Sequence, residues 1–334
     1  MIFNNFNSVL KKTLLFSMLF FSITSLKAQL TGTKTIPGDY ASLDLAIADL
    51  NTQGVGAGGV VLNLLSSNPQ TAPLGGYVIG GAGSLVLTTT STTNTITITG
   101  NSNVITAPAS QVSGQLYDGI FKLIGADNVT IQGFTLNENA ANTATTAGTN
   151  NMTEWGVALL YASTTDGCQN VSLLNNTISL GATYQNAMGI YANSTHAAST
   201  PTTSASATSL TGGNHNLSIK GNTISNVNQG IVIVGPTAAA DMNNNISVGG
   251  TTSGEGNTIT YGLTGTFSGY ANVSGTVNGI LVRNSINATV SNNTLTSNGT
   301  VTAGTLNGIQ FPAFSVAPTG TFTQNINKDR KSVV

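Results

Sequence analysis

The chain has 334 residues, a formal net charge of −1 and only 6% charged side chains, against roughly 25% in an ordinary soluble domain. Ten Lys and Arg scattered over that length leave no basic patch for nucleic acid and no charged heptad helix. One Cys permits neither a disulfide framework nor a cysteine-based zinc site.

Residues 1–28 read as a secretory signal peptide. Lys11 and Lys12 flank the apolar run Thr13–Ile23, and a short polar stretch ends at the small residue Ala28. Eleven apolar residues are too few for a span, which needs about 20, so no membrane segment is expected once the signal is removed. The expected localisation is secreted or outer cell surface.

Residues 29–65 read as an N-terminal cap plus the first strand. Leu43, Ile47 and Leu50 share one helical face behind Ser42, a suitable N-cap, and Gly59–Leu65 is an apolar strand. Gly54, Gly56 and Gly59 have the spacing of a dinucleotide fingerprint. They follow a helix and precede a strand, however, which is the reverse of the order phosphate binding needs.

Residues 66–328 carry a recurring phrase. Asp127–Leu136, Gln169–Ile178, His215–Ile224 and Ile286–Leu295 are full copies, with weaker ones at Thr95–Asn101 and from Asn245. Within a copy, apolar and polar residues alternate, as Val129 and Ile131 do with Thr130 and Gln132, so each holds a short strand with one buried face. Gly133, Asn175, Gly221 and Asn292 occupy one place and mark a bend at positive φ. A second short strand follows. A preceding phrase opens a third strand at Gly119-Ile120, Gly156-Val157, Gly189-Ile190, Gly230-Ile231, Gly279-Ile280 and Gly308-Ile309. Repetition of this kind predicts an all-β solenoid with three short strands per turn, a leanest turn of about 22 residues, and loops of variable size at fixed corners.

The Gly-Ile…Asn-Val-x-Ile-x-x-Asn-Thr-Ile pattern resembles the right-handed parallel β-helix of the pectin-lyase-like superfamily over residues 59–315. The opening Thr33-Lys-Thr-Ile-Pro…Asp39-Tyr-Ala-Ser-Leu43, with Asn51-Thr-Gln-Gly54, resembles large secreted β-helix proteins of the Bacteroidetes type. The resemblance implies a fold shared by polysaccharide lyases, hydrolases, tailspikes, adhesins and surface proteins; it names no single activity. Asp329–Val334 breaks the composition and matches the translation of a common sequencing adapter. The expectation is therefore an artefact at 329–334 and a natural protein that continues beyond Lys328. Residues 29–328 then carry a net charge of −5.

Several residues are site candidates. Asn101, Asn176, Asn222, Asn257 and Asn293 share one position and are expected to form an amide ladder along the axis, interrupted at Phe134. Lyases and hydrolases need carboxylates grouped for Ca²⁺ or acid–base work. Here the acids are scattered, so catalytic assignment rests on weak candidates. Asp127 and His215 share a column with Gln169 between them, about 10 Å apart, and Glu138 and Glu154 bracket a loop. Ca²⁺ is the one cofactor the acids suggest, and no metal ligand set is assigned. Trp155, Tyr161, Tyr184 and Tyr191 are candidates for stacking on carbohydrate. The Ser/Thr/Ala-rich insertion Ala192–Asn214 is expected to be a mobile surface loop. The composition favours an adhesin-like or structural surface protein that contacts glycans or cell-surface components. The alternative is a polysaccharide lyase or glycoside hydrolase with its acids in the insertion loops.

Overall fold

The computed structural model describes residues 28–333, apart from 115, 117, 147, 199–204, 265 and 299–304. The segment read as a signal peptide lies outside the described residues except for Ala28. The rest winds into a parallel β-helix. A lap runs through Val129–Gln132, Thr135–Asn137 and Trp155–Tyr161, then re-enters the starting sheet at Ser172–Leu174. Among the described residues three sheets result, with nine, seven and eight strands, and every strand-to-strand pairing in them is parallel. We call them first, second and third, after Val129–Gln132, Trp155–Tyr161 and Thr135–Asn137 respectively. Among laps that pass through all three sheets, the shortest in register advance 29 residues, as from Leu217 to Ile246. That exceeds the 22 expected because one corner, residues 235–242 between Gln229–Val234 and Asn243–Gly249, holds a longer connection, while the other two hold two and three residues.

The alternation in the phrase sets the inside and the outside. Ile98, Ile131, Leu173, Ile219, Val248 and Val290 stack in register in the first sheet, and Ile105, Leu136, Ile178, Ile224, Ile259 and Leu295 in the third; all are buried. Val129, Val171 and Leu217 are buried in one further inner file. The bend residues Gly133, Asn175, Gly221 and Asn292 all take positive φ, between 53° and 67°.

The Gly of the Gly-Ile phrase has a steric cause. A Cβ on Gly156, Gly189 or Gly230 would fall within 2.5 Å of the Cγ2 of Ile178, Ile224 or Ile259 on the third sheet. Those isoleucines fill the space a side chain would need. One copy departs from the alignment: Trp155 pairs with Gly119 and Val157 with Phe121. Ile120 thus lies opposite Gly156, and the phrase is displaced by one residue in that lap.

The first lap is covered by the helix Leu43–Gln53, whose buried face is Leu43, Ala46, Ile47 and Leu50. Ser42 caps it, its side chain accepting from the Leu45 N–H at 3.3 Å. The outermost strand of the first sheet is Leu30–Ile36, which pairs with Val55–Leu64. The glycines of the dinucleotide-like spacing lie at the end of this helix and inside Val55–Leu64, not at a helix N-terminus. At the other end, Arg330–Val333 pairs with Thr294–Ser297 as the last strand of the third sheet. Among the described residues, no helix is long and apolar enough to cross a membrane.

Candidate functional site

The asparagine file on the inner corner forms a continuous hydrogen-bonded row. Asn222 Oδ1 accepts from the backbone N–H of Asn176 at 3.0 Å, Asn257 Oδ1 from that of Asn222, and Asn293 Oδ1 from that of Asn257. Each Nδ2 also donates to the carbonyl of an inner-file residue: Ile131, Leu173, Ile219 and Val248 in turn. These side chains are buried, so the row satisfies corner N–H groups that water cannot reach. Phe134 interrupts the row, and its N–H donates to Asn176 Oδ1. Asn101 is not a member. It sits at a positive-φ bend, its Nδ2 donating to Asn63 and to the Leu64 carbonyl. The member in that lap is Asn103, because Val104 pairs with Thr135 and the bend holds two extra residues. Asn103 Oδ1 accepts from the Asn68 N–H at 2.7 Å. Asp329 takes the same role at the far end, accepting from the Asn293 N–H.

A second asparagine file runs along an exposed corner. Asn128, Asn170, Asn216, Asn245 and Asn287 all have positive φ. Asn170 Nδ2 donates to Asn128 Oδ1, Asn216 to Asn170, and Asn245 to Asn216. The sequence shows these residues at one phrase position. Their shared left-handed backbone is what turns the amides toward one another.

Asp127 and His215 stand two rungs apart with Gln169 between them. Asp127 Oδ1 accepts from the Gln169 N–H at 2.7 Å, and burial raises its pKa to about 6. His215 Nδ1 accepts from the Asn244 N–H, so Nε2 carries the proton and donates to the Leu210 carbonyl. Both ring nitrogens are engaged, and burial lowers the imidazole pKa. The cavity beside His215, about 220 Å³, is lined by Gln169, Leu210, Thr211, Asn216 and Asn244, and none of these described lining residues is a carboxylate.

Glu138 and Glu154 belong to one network that ties the loops to the second sheet. Glu138 accepts from the Thr153 N–H and hydroxyl and from Asn142. Glu154 accepts from the Tyr184 hydroxyl, the Asn150 amide and the Asp118 N–H. It is fully buried, and desolvation, with the nearby Asp118, holds its pKa well above the usual range. Asp118 Oδ2 accepts from the Val112 N–H, burial lifts its pKa to about 6, and its buried Oδ1 finds no partner among the described residues. Lys122 lies close enough to act electrostatically on both acids, and its own pKa is lowered by burial. Protein donors already occupy both oxygens of Glu138 and of Glu154. Among the described residues, no three His, Cys, Asp or Glu form a group that would hold a metal ion, so no step through Ca²⁺ is derived.

The rings proposed for stacking are interior. Trp155, Tyr191 and Tyr184 are at most 2% exposed and Tyr161 is 5% exposed. Trp155 and Tyr191 stack with centroids 4.8 Å apart, with His196 edge-on to both. The loop carrying Tyr270 closes over them: Trp155 Nε1 donates to the Tyr270 hydroxyl, and Asn193 Nδ2 to the Ala271 carbonyl. The expected mobile insertion begins inside this packing. Ala192–His196 continues the strand Met188–Ala197 and is buried. Its polar residues find local partners, such as Thr195 with Asn193, which composition alone does not reveal.

The outward files of the first and third sheets remain in contact with solvent. Thr97, Thr130, Ser172, Ser218, Ser247 and Thr289 form one, each half-buried. Thr135, Thr177, Thr223, Thr258 and Thr294 form the other, and its last four members are exposed. Neither file contains a formal charge over these rungs. Compared with known proteins, the chain matches no family model, no curated protein and no solved structure.

Proposed function

We propose that this chain is a secreted or cell-surface β-helix protein, of the pectin-lyase-like architecture and the Bacteroidetes secreted type, that works by contact and not by catalysis. Its partners on this reading are glycans or other cell-surface components. The observation that carries the reading is the pair of uncharged hydroxyl files that face solvent rung after rung on two of the three sheets. Such faces offer many weak, equivalent hydrogen bonds, which gain strength by repetition. The catalytic candidates add support from the other side: His215, Glu138 and Glu154 spend their polar atoms on loops and corners, and Asp127 Oδ1 is held by the Gln169 N–H.

The test is incubation of the chain with a panel of acidic and neutral polysaccharides in the presence of Ca²⁺. Retention on one or more of them, with no new reducing ends and no unsaturated-uronate absorbance, is the expected result. Release of either product signal overturns the reading in favour of a lyase or hydrolase.

A further inference from the structure

The third sheet carries two parallel files of small polar side chains. The first is Thr135, Thr177, Thr223, Thr258 and Thr294, paired residue to residue with no register shift. The second lies two residues further along each strand: Asn137, Ser179, Ser225, Thr260 and Thr296. Rungs of a parallel sheet repeat at about 4.8 Å, and residues two apart on a strand at about 6.6 Å. The face is therefore a rectangular net of polar groups. Beneath it, Leu136, Ile178, Ile224, Ile259 and Leu295 are buried, so the net rests on packed core.

Three features single this net out. Among the described residues, the hydroxyls of Thr177, Thr223, Thr258 and Thr294 find no hydrogen-bond partner, and these residues are exposed, so their bonding capacity is turned to whatever lies outside; in the second file, Ser179 Oγ accepts from Asn226 Nδ2. Threonine is β-branched and stiff at χ1, so hydroxyl and methyl hold fixed places in the net. Charge is the third feature: the first file carries none until Arg330, which pairs with Thr294. A neutral net matches a neutral partner, and it does not orient solvent around ions. It also lacks aromatic rings, the usual platform for a sugar face.

We infer that this face binds ice, a neutral lattice of ordered water. The prism faces of ice likewise present oxygens in regular rectangular nets, on the same ångström scale as this one. Threonine hydroxyls at the rung spacing would hold water in lattice positions, while the methyls between them limit competing orientations. The inference rests on the contact reading above and commits the third sheet to one partner.

The experiment uses the whole chain, freshly purified, in slowly growing ice. It measures partition into the ice fraction, recrystallisation and the freezing-point gap, with bovine albumin as the reference protein. Thr223→Lys puts a long charged side chain at the centre of the file, and Leu45→Lys adds the same charge on the exposed side of the capping helix. Circular dichroism checks that both variants keep the fold. Expected is several-fold enrichment in ice over albumin and a freezing gap abolished by Thr223→Lys but kept by Leu45→Lys. Exclusion of the wild-type chain from ice overturns the inference, as does equal activity of folded Thr223→Lys. If the chain is excluded from ice but held by an insoluble polysaccharide, the ice inference falls and the contact reading stands. If ice takes it and no polysaccharide does, the inference stands and the glycan part of that reading falls.

Discussion

Asn222 serves three neighbours at once. Its Oδ1 accepts from both the backbone N–H and the Nδ2 of Asn176, and its Nδ2 donates to the Leu173 carbonyl and to Asn257 Oδ1. Asn222→Ala strands a buried N–H and a buried carbonyl, so the unfolding free energy should fall by about 1–3 kcal/mol in chemical denaturation. An unchanged midpoint would show that the row fills space without holding the corner. Asp118 gives a pH test. Its folded pKa, about 6, lies above the ordinary 3.8 because burial disfavours the charge. The native state then binds the proton more tightly than the unfolded chain. Stability from this group is present in acid, is lost as pH rises from about 4 to about 6, and is level above that. Asp118→Asn removes the titration and keeps an acceptor for the Val112 N–H. Its melting temperature relative to wild type should rise across that window and then flatten; a constant difference would contradict the assignment. The asparagine row was legible at residue scale because three copies, with Asn176, Asn222 and Asn293, share one spacing. Asn103 was not, since two extra bend residues move the amide away from the expected place.

At the scale of one strand, the phrase Gly-Ile reports a contact between sheets. Gly230 lies where a Cβ would meet the Gly279 carbonyl oxygen at 2.3 Å and Ile259 Cγ2 at 2.5 Å. Gly230→Ala must push apart backbone and core, at a cost of about 1–3 kcal/mol. Gly254→Ala, with nothing within 4 Å of the added carbon, is the matched control and should leave the denaturation midpoint in place. Equal midpoints for the two variants would mean that the glycine file reflects composition and not packing. Element type and repeat order were readable because the two-residue alternation survives in every copy. The fate of the aromatic residues was not. Trp155 is covered by Tyr270, 115 positions along the chain, through a loop with no periodic signal. The displacement at Gly119 was hidden for a related reason: Phe121 supplies the inner residue that the Gly-Ile phrase assigns to its neighbour.

The whole molecule is a stack of laps, and each lap is held by the one beneath it through parallel backbone bonds, the inner aliphatic files and the asparagine row. Function, on the proposed reading, uses the periodicity that this stacking imposes on the outside. Thr177 and Thr223 are 46 residues apart in sequence and directly paired on adjacent rungs, whereas Thr177 and Thr258 are two rungs apart. Adjacent rungs fall within the range of Cα separations a disulfide accepts, about 4.4–6.8 Å, and two rungs, about 9.6 Å, exceed it. The native Cys168 is buried and does not compete. The most direct measurement is therefore oxidative cross-linking of two double variants, read by peptide mapping. The β-helix predicts a rapid intramolecular disulfide in Thr177→Cys with Thr223→Cys and none in Thr177→Cys with Thr258→Cys. A bond in the second pair but not the first would contradict the winding on which the whole account rests.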